Sequence, residues 1–322
     1  MTVLCRLLPA VFALFVASVA QAQNYPDRPI RLIAPFPAGG LADVLARAVG
    51  DEMSKTLGQP VIVENRAGAG GNTGADAVAK AAPDGYTLLM ASAGILTANP
   101  FLYAQMPFNV ETAFIPVSNV ADMSMLVVVN PKVEAKTLKE LVALAKAQPG
   151  KLNFGSPGIG TTGHLGLAML MVAADIKITH VPYRGAAPAV TDLIAGQIDG
   201  VVDNPPTVLA HVQSGALRPL AVAAKQRLKL LPDVPTAAEV GVAHYEASSW
   251  FGVAAPAGTP PSIIAKLHQS IAAAVRTPTM QERFSKSGAR LLGSSSQEFA
   301  AQIQTERVEW GKIIKAANIA PQ

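Results

Sequence analysis

The sequence predicts an α/β protein of two domains, each a mostly parallel sheet flanked by helices, with a ligand cleft between them. Three observations carry this. Short apolar runs alternate with segments of helical period along most of the chain. Two such series are separated by an extended stretch, 114–130, and a late strand with three helices follows the second series. Several strands end in loops rich in Gly, Ser, Thr or Asn, where open α/β sheets bind ligands. The length of 322 residues fits two units. A hydrophobic half of the chain excludes disorder, and 26 Gly and 25 Pro without a period exclude collagen.

The elements follow in order. Ile30-Arg31-Leu32-Ile33-Ala34 forms the core of a buried strand, and Pro35 to Gly40 breaks it. Leu41, Val44, Leu45, Ala48 and Val49 recur at helical spacing until Gly58 and Pro60. Val61-Ile62-Val63 is the next strand, and a Gly-rich loop at 65–74 leads into a helix through Lys80. A strand at 87–91 ends at Ser92-Ala93-Gly94. Beyond the extended stretch, Leu138, Leu141, Val142 and Ala145 mark a helix. Strands at 152–155, 178–181, 198–203 and 217–223 alternate with helices at 161–174 and 186–195 and one started by Pro205-Pro206. A return strand at 249–254 precedes helices at 261–276, 279–287 and 296–317. Such β-loop-α-β runs favour parallel strands with crossover helices. The domain boundaries this implies are 23–123 with 249–322, and 124–248. The two crossings, near 122–126 and 245–250, would form a hinge.

The first 22 residues read as a leader. Arg6 precedes a nearly unbroken apolar run from Leu7 to Val19, and Ala20-Gln21-Ala22 is a small-x-small cleavage site. The run is too short to span a bilayer comfortably. Cleavage after Ala22 removes Cys5, the only cysteine, so no disulfide framework or cysteine metal site is expected. The net charge of +4, without a Lys/Arg run, gives no support to a nucleic-acid partner.

The strand-end loops carry the candidate chemistry. Pro37-Ala38-Gly39-Gly40 precedes a helix, whose start can hold an anion through its N–H groups. Ser156-Pro157-Gly158-Ile159-Gly160-Thr161 occupies the equivalent place in the second series. Gly158, Gly160 and Gly163 form a literal G-x-G-x-x-G. The unit lies mid-chain, no acid ends the next strand, and an exported protein has no supply of NADP, so no nucleotide cofactor is expected. No nucleophile elbow or zinc-protease motif is present, and the five histidines lack metal-ligand spacing, so no metal is expected. Ser156 and His164 could pair in space, and Asp203 ends a strand where it could meet a ligand or cap a helix. Asp43 sits in a first helical turn, where it complements the helix dipole. Arg66 and Arg184 are loop guanidiniums that could clamp a second carboxylate.

Longer segments carry a family resemblance. They are Tyr25-Pro26-Asp27-Arg28-Pro29-Ile30-Arg31, Pro35-Phe36-Pro37-Ala38-Gly39-Gly40 with Asp43, and Val63-Glu64-Asn65-Arg66-Ala67-Gly68-Ala69-Gly70-Gly71. Pro83-Asp84-Gly85-Tyr86-Thr87-Leu88, Val181-Pro182-Tyr183-Arg184-Gly185, Leu193-Ile194-Ala195-Gly196-Gln197-Ile198-Asp199 and Leu231-Pro232-Asp233-Val234-Pro235-Thr236 extend it. Together they resemble the tripartite tricarboxylate transporter substrate-binding proteins, the Bug-type periplasmic receptors. The resemblance implies a periplasmic-binding-protein-like fold with hinge closure. It also implies a small organic acid ligand, no cofactor, no catalysis and delivery to membrane permease subunits, with a monomer expected. Carried over, the ligand site comprises Phe36, Pro37, Ala38, Gly39, Gly40, Ser92, Ala93, Ser156, Gly160, Thr161, His164 and Asp203. Val202 stands before Asp203 where many members have an aromatic residue. Two other readings compete: an exported hydrolase using Ser156 and His164, and a ligand sensor for a signalling partner.

Overall fold

A computed structural model describes residues 25–286, 288–317 and 319–321. The expected leader, residues 1–22, lies outside them. The first series runs β1 (Ile30–Ala34), α1 (Leu41–Leu57), β2 (Val61–Asn65), α2 (Asn72–Ala79) and β3 (Thr87–Ser92). Gly58, in the left-handed region at φ 72°, ends α1 by donating its N–H to the Ser54 carbonyl. A π-helical turn, Gly94–Ala98, and the short α3 (Asn99–Leu102) precede the long β4 (Phe114–Ser124).

The second series is β5 (Leu126–Val129), α4 (Leu138–Ala147), β6 (Asn153–Ser156), α5 (Thr162–Ala174), β7 (Thr179–Pro182), α6 (Ala186–Ala195), β8 (Gly200–Asp203), α7 (Pro205–Gln213) and β9 (Arg218–Val222). The chain then returns as β10 (Ser248–Pro256), α8 (Pro261–Ala274), α9 (Pro278–Ser285), β11 (Ala289–Leu291) and α10 (Ser296–Ala316).

Two sheets result, ordered β11-β4-β10-β3-β1-β2 and β7-β6-β8-β5-β9. Each is more mixed than the βαβ pattern alone implies. β1 is parallel to β2 and β3, and β6 to β7 and β8. β10 is antiparallel to β3 and β4, and β5 to β8 and β9. Parallel neighbours need a crossover between them. β5 and β10 are the strands that carry the chain between sheets, and they enter without one.

Both sheets are covered on two faces, so their inner strands are apolar throughout. Leu32 packs with Leu45, Leu88 and Leu267, while its neighbour Ile33 packs with Leu89, Trp250 and Phe299 on the other side. In the second sheet Val127 packs with Phe154 and Leu167, and Val128 with Leu193 and Val201. A smaller apolar cluster bridges the two units. It joins Ala98 and Leu102 to Leu165 of α5 and to Trp310 and Ile314 of α10.

The crossings lie side by side. Only Met125 separates β4 from β5, and Ala247 immediately precedes β10. The Ala247 N–H donates to Ala223, and the Ala223 N–H donates to Met125, at 3.0 and 2.9 Å. The connection between the sheets is thus two hydrogen-bonded strands, with the ends of β1, β3, β6 and β8 directed at the space beside them.

Candidate functional site

The loop from Phe36 to Gly40 is braced from below. Asn65, the last residue of β2, donates from Nδ2 to the Phe36 carbonyl at 3.1 Å and to Asp43 Oδ1 at 2.9 Å. Asp43 Oδ2 accepts the Gly39 N–H at 2.9 Å, and Arg47 pairs with Oδ1 at 2.9 Å. Burial by itself would raise the Asp43 carboxyl, but these donors together hold it below the usual carboxylate range. Asp43 therefore does more than complement a helix dipole. The brace also corrects one detail: the Gly39 amide is spent inside the protein and is not offered to a ligand. Gly39 turns the chain at φ +81°, a conformation that disfavours any side chain.

What the loop does offer is the start of α1. Its N-cap is Gly40, which has no side chain to satisfy the first-turn amides. The same holds where the second series meets the cleft. α5, α6 and α7 start at Thr161, Gly185 and Asn204, none of which caps its helix with a side chain. Three helices away from this region do carry side-chain caps: Thr137 caps α4, Thr277 caps α9, and Ser295 forms a capping box with Glu298 on α10, while α2 and the short α3, entered from Gly71 and Ala98, do not. α8 also lacks a side-chain cap, but Pro260 and Pro261 remove two amide donors there. The uncapped donors are concentrated at the strand ends.

At the end of β3, Ser92 is 2% exposed and its hydroxyl has no hydrogen-bond partner among the described residues. A buried orphan hydroxyl is costly and marks a place for a missing partner. Ala93 beside it is buried as well. Gly94 then abuts the second unit: a Cβ there would lie 1.9 Å from the Gly160 carbonyl oxygen. Tyr103 donates to the Ile159 carbonyl at 3.1 Å, and a Cβ on Gly185 would lie 3.7 Å from the Pro37 ring. The loops at 36–40 and 92–94 thus each abut the second unit, the first at Gly185 and the second at Gly160.

Within the second loop, Thr161 donates from its hydroxyl to the Gly158 carbonyl at 2.6 Å. His164 accepts the Gly160 N–H at Nδ1, at 3.2 Å, so its ring carries its hydrogen on Nε2. The expected Ser156–His164 pair does not form. Ser156 Oγ lies 2.6 Å from His180 Nε2 instead, and the His164 and His180 rings stack at 4.1 Å and 15°. Burial pushes His180 down to about 4; burial and the neighbouring His180 push His164 down to about 3. Gly163 and Gly166 serve packing: Cβ atoms there would lie 2.9 Å from the Val202 carbonyl and 2.8 Å from the Val202 side chain. The third glycine of the G-x-G-x-x-G pattern thus seats α5 on β8.

Asp203 ends β8, is 2% exposed, and accepts the Asn204 N–H at 2.7 Å. Burial lifts its carboxyl to about 6, against the pull of the Asn204 amide and the Thr207 hydroxyl. Asn204 Oδ1 bonds the hydroxyl of Ser249 on β10, linking this corner to the other sheet. Arg66 pairs with Glu64 at 3.4 Å on the surface, and Arg184 is exposed. Among the described residues no three His, Cys, Asp or Glu are grouped to share a metal ion. Ser156's partner, His180, was not singled out in the sequence. The signal available was its place in a strand paired with the one Ser156 ends.

Comparison with known proteins places this geometry. The model of the tripartite tricarboxylate transporter family receptor matches residues 45–319. The chain belongs to that family. Protein BugT of Bordetella pertussis is 39% identical over 316 residues, covering 96% of this chain and 97% of that protein. An R. palustris protein solved with adipate superposes with a TM-score of 0.87 at 35% identity, covering 92% of this chain and all of the other. MatC from Rhodopseudomonas palustris, with bound malate, does so at 0.85 and 31% identity, covering 90% and 100%. This receptor therefore has the two-domain α/β fold expected from its sequence.

Proposed function

We propose that this receptor is exported to the periplasm after cleavage at Ala22 and captures a small organic carboxylate between its two domains. It then presents that acid to the membrane subunits of a tripartite tricarboxylate transporter. The observation that carries the reading is a set of uncapped helix starts from different sheets that approach one another: Pro37 before α1 lies against Gly185 at the start of α6, and Gly160 before α5 lies against Gly94, two residues beyond the orphaned Ser92 hydroxyl. Helix N-termini and hydroxyls favour a carboxylate without a lysine or arginine. The bound adipate and malate of the two solved relatives support the same ligand class. In this reading Phe36, Pro37, Ala38, Gly40, Ser92 and Ala93 form the first wall, with Gly39 turning the loop. Ser156, Gly160, Thr161, His164 and Asp203 form the second wall.

Residues 23–123 with 249–322 form one domain and 124–248 the other, and the strand pair at Met125 and Ala247 is the hinge. The ligand closes the hinge through contacts it makes better in the closed state. A calorimetric titration with mono-, di- and tricarboxylates tests the reading. Binding of at least one acid, weakened by Ser92→Ala, is expected; no binding across the panel contradicts it.

The 2.6 Å Ser156–His180 contact is the one observation that favours a hydrolase. A His held near 4 is a weak base at neutral pH, and no carboxylate hydrogen-bonds its ring among the described contacts. No cleavage of ester or amide derivatives of the bound acids is expected, and hydrolysis of one to acid plus alcohol or amine, lost in Ser156→Ala, would reverse the assignment.

A further inference from the structure

Ser156 sits among three groups, and a hydroxyl has one hydrogen and two lone pairs. The Gly158 N–H donates to Ser156 Oγ at 3.2 Å, filling one lone pair. The Gly158 carbonyl lies 3.2 Å from Oγ, and His180 Nε2 lies at 2.6 Å. The Gly158 carbonyl already takes the Thr161 hydroxyl at 2.6 Å, so it has little need of a second donor. The short contact to His180 therefore decides where the serine hydrogen goes. If Nε2 is bare, Ser156 must donate to it, and nothing is left for a ligand. If Nε2 carries the hydrogen, the imidazole donates into the second lone pair, and the serine hydrogen is free to turn outward.

We propose that His180 is a positioning residue that sets the polarity of Ser156: with its hydrogen on Nε2 it releases the serine hydroxyl to donate to a bound carboxylate. The inference rests on the reading of the 156–161 loop as the second wall of the site. Charge is not the variable, because burial keeps His180 neutral near pH 7. The stacked His164, itself neutral and fixed by the Gly160 amide, holds the His180 ring at this position without competing for Ser156. Two neutral rings 4.1 Å apart form a polar support that can change tautomer without moving. Carboxylate binding and the His180 tautomer are then coupled, each favouring the other.

The test uses the full mature chain with malate, adipate and acetate as probes. Ser156→Ala is expected to weaken binding about tenfold or more, the scale of a lost charge-assisted hydrogen bond, and His180→Phe to weaken it as well, because without the imidazole donor the serine hydrogen turns inward to the Gly158 carbonyl at 3.2 Å. His180→Gln, whose amide can donate to Oγ, should recover most of that loss. The double variant Ser156→Ala with His180→Phe should bind no worse than Ser156→Ala alone, since His180 acts through the hydroxyl. In protein labelled with ¹⁵N-histidine, His180 Nε2 should resonate as a protonated nitrogen in the probe-bound state, while His164 Nδ1 stays unprotonated. Circular dichroism confirms folding of each variant, and the glutamine variant serves if His180→Phe does not fold. An unprotonated Nε2 in the bound state overturns the proposal. So does full affinity in His180→Phe with weakened binding in Ser156→Ala, which leaves the loop reading intact. Full affinity in both variants, or no response of the wild type to any probe, overturns the loop reading and the proposal with it.

Discussion

The main-chain N–H of Met125 donates to the Ala247 carbonyl at 3.0 Å, so the two strands that join the sheets are tied to each other. Rotation about this pair would carry Gly160 toward or away from Gly94. A Cβ at Gly94 would fall 1.9 Å from the Gly160 carbonyl oxygen, a separation that cannot exist. Gly94→Ala should therefore leave both domains folded and block closure. Small-angle scattering should show wild type compacting at saturating carboxylate and the variant unchanged, with binding weakened at least tenfold. Equal compaction in both would contradict closure at this contact.

Asp43 supports the first wall without lining it. Asp43→Ala orphans the Gly39 amide and takes one partner each from Asn65 and Arg47. A loss of about 1–3 kcal/mol is expected in urea unfolding, the scale of a broken buried hydrogen-bond set. Its carboxyl is held low in the folded state, so the stability it gives is present above the unfolded carboxylate pKa and lost on acidification. The gap between wild type and Asp43→Ala should narrow as pH falls below about 4. A constant gap would show that the ionised brace is not the source.

Asp203 has the opposite sign. Its carboxyl rises from 3.8 to about 6, so the folded protein holds a proton that the unfolded chain has released. The stability from this group is full below pH 3.8 and is lost as pH rises through 6. Asp203→Asn should stabilise the ligand-free protein at pH 7.5 by up to about 3 kcal/mol, with the gain falling by roughly half at pH 5. Urea midpoints of the two proteins at these pH values measure it, and a variant less stable than wild type at pH 7.5 would contradict it.

The stacked histidines act against acid. Both are depressed, to about 3 and about 4, so the unfolded chain binds protons below pH 6.5 that the folded protein refuses. Their stability is present above 6.5 and lost as pH falls toward 4. At pH 5 the loss is about 2 kcal/mol for each ring, partly offset by Asp203. Replacing both by Gln should flatten the fall in urea midpoint between pH 7 and 5. An equally steep fall would place the acid sensitivity elsewhere.

The parts of this molecule that were legible in sequence are those whose signal is local. Ile30–Ala34 followed by Gly39-Gly40 and a helical period identifies a strand, a loop and a helix start within about thirty residues. The same holds for Phe154 through Thr161. Less was legible where distant residues decide the structure. β11 is three residues long and is a strand because Ala289 to Leu291 pair with Ala121 to Met123. Gly94–Ala98 winds as a π-helix against Gly160, with no periodic mark of its own. The Asp43 brace depends on Asn65, and the Ser156–His180 pair spans a whole α5 crossover. Pairing of parallel neighbours is specified by sheet register, which no short motif carries.

The central claim is that a carboxylate sits between α1 and α5 in the closed cleft. The most direct measurement is a crystal structure grown with whichever malate, adipate or related acid gives the largest thermal shift. A carboxylate should lie against the first-turn amides of α1 and within hydrogen-bond reach of the Ser92 and Ser156 hydroxyls, with Gly94 closed onto Gly160. A carboxylate bound outside this cleft, or an acid held in the cleft with Ser92 and the α1 start left unengaged, would contradict the account.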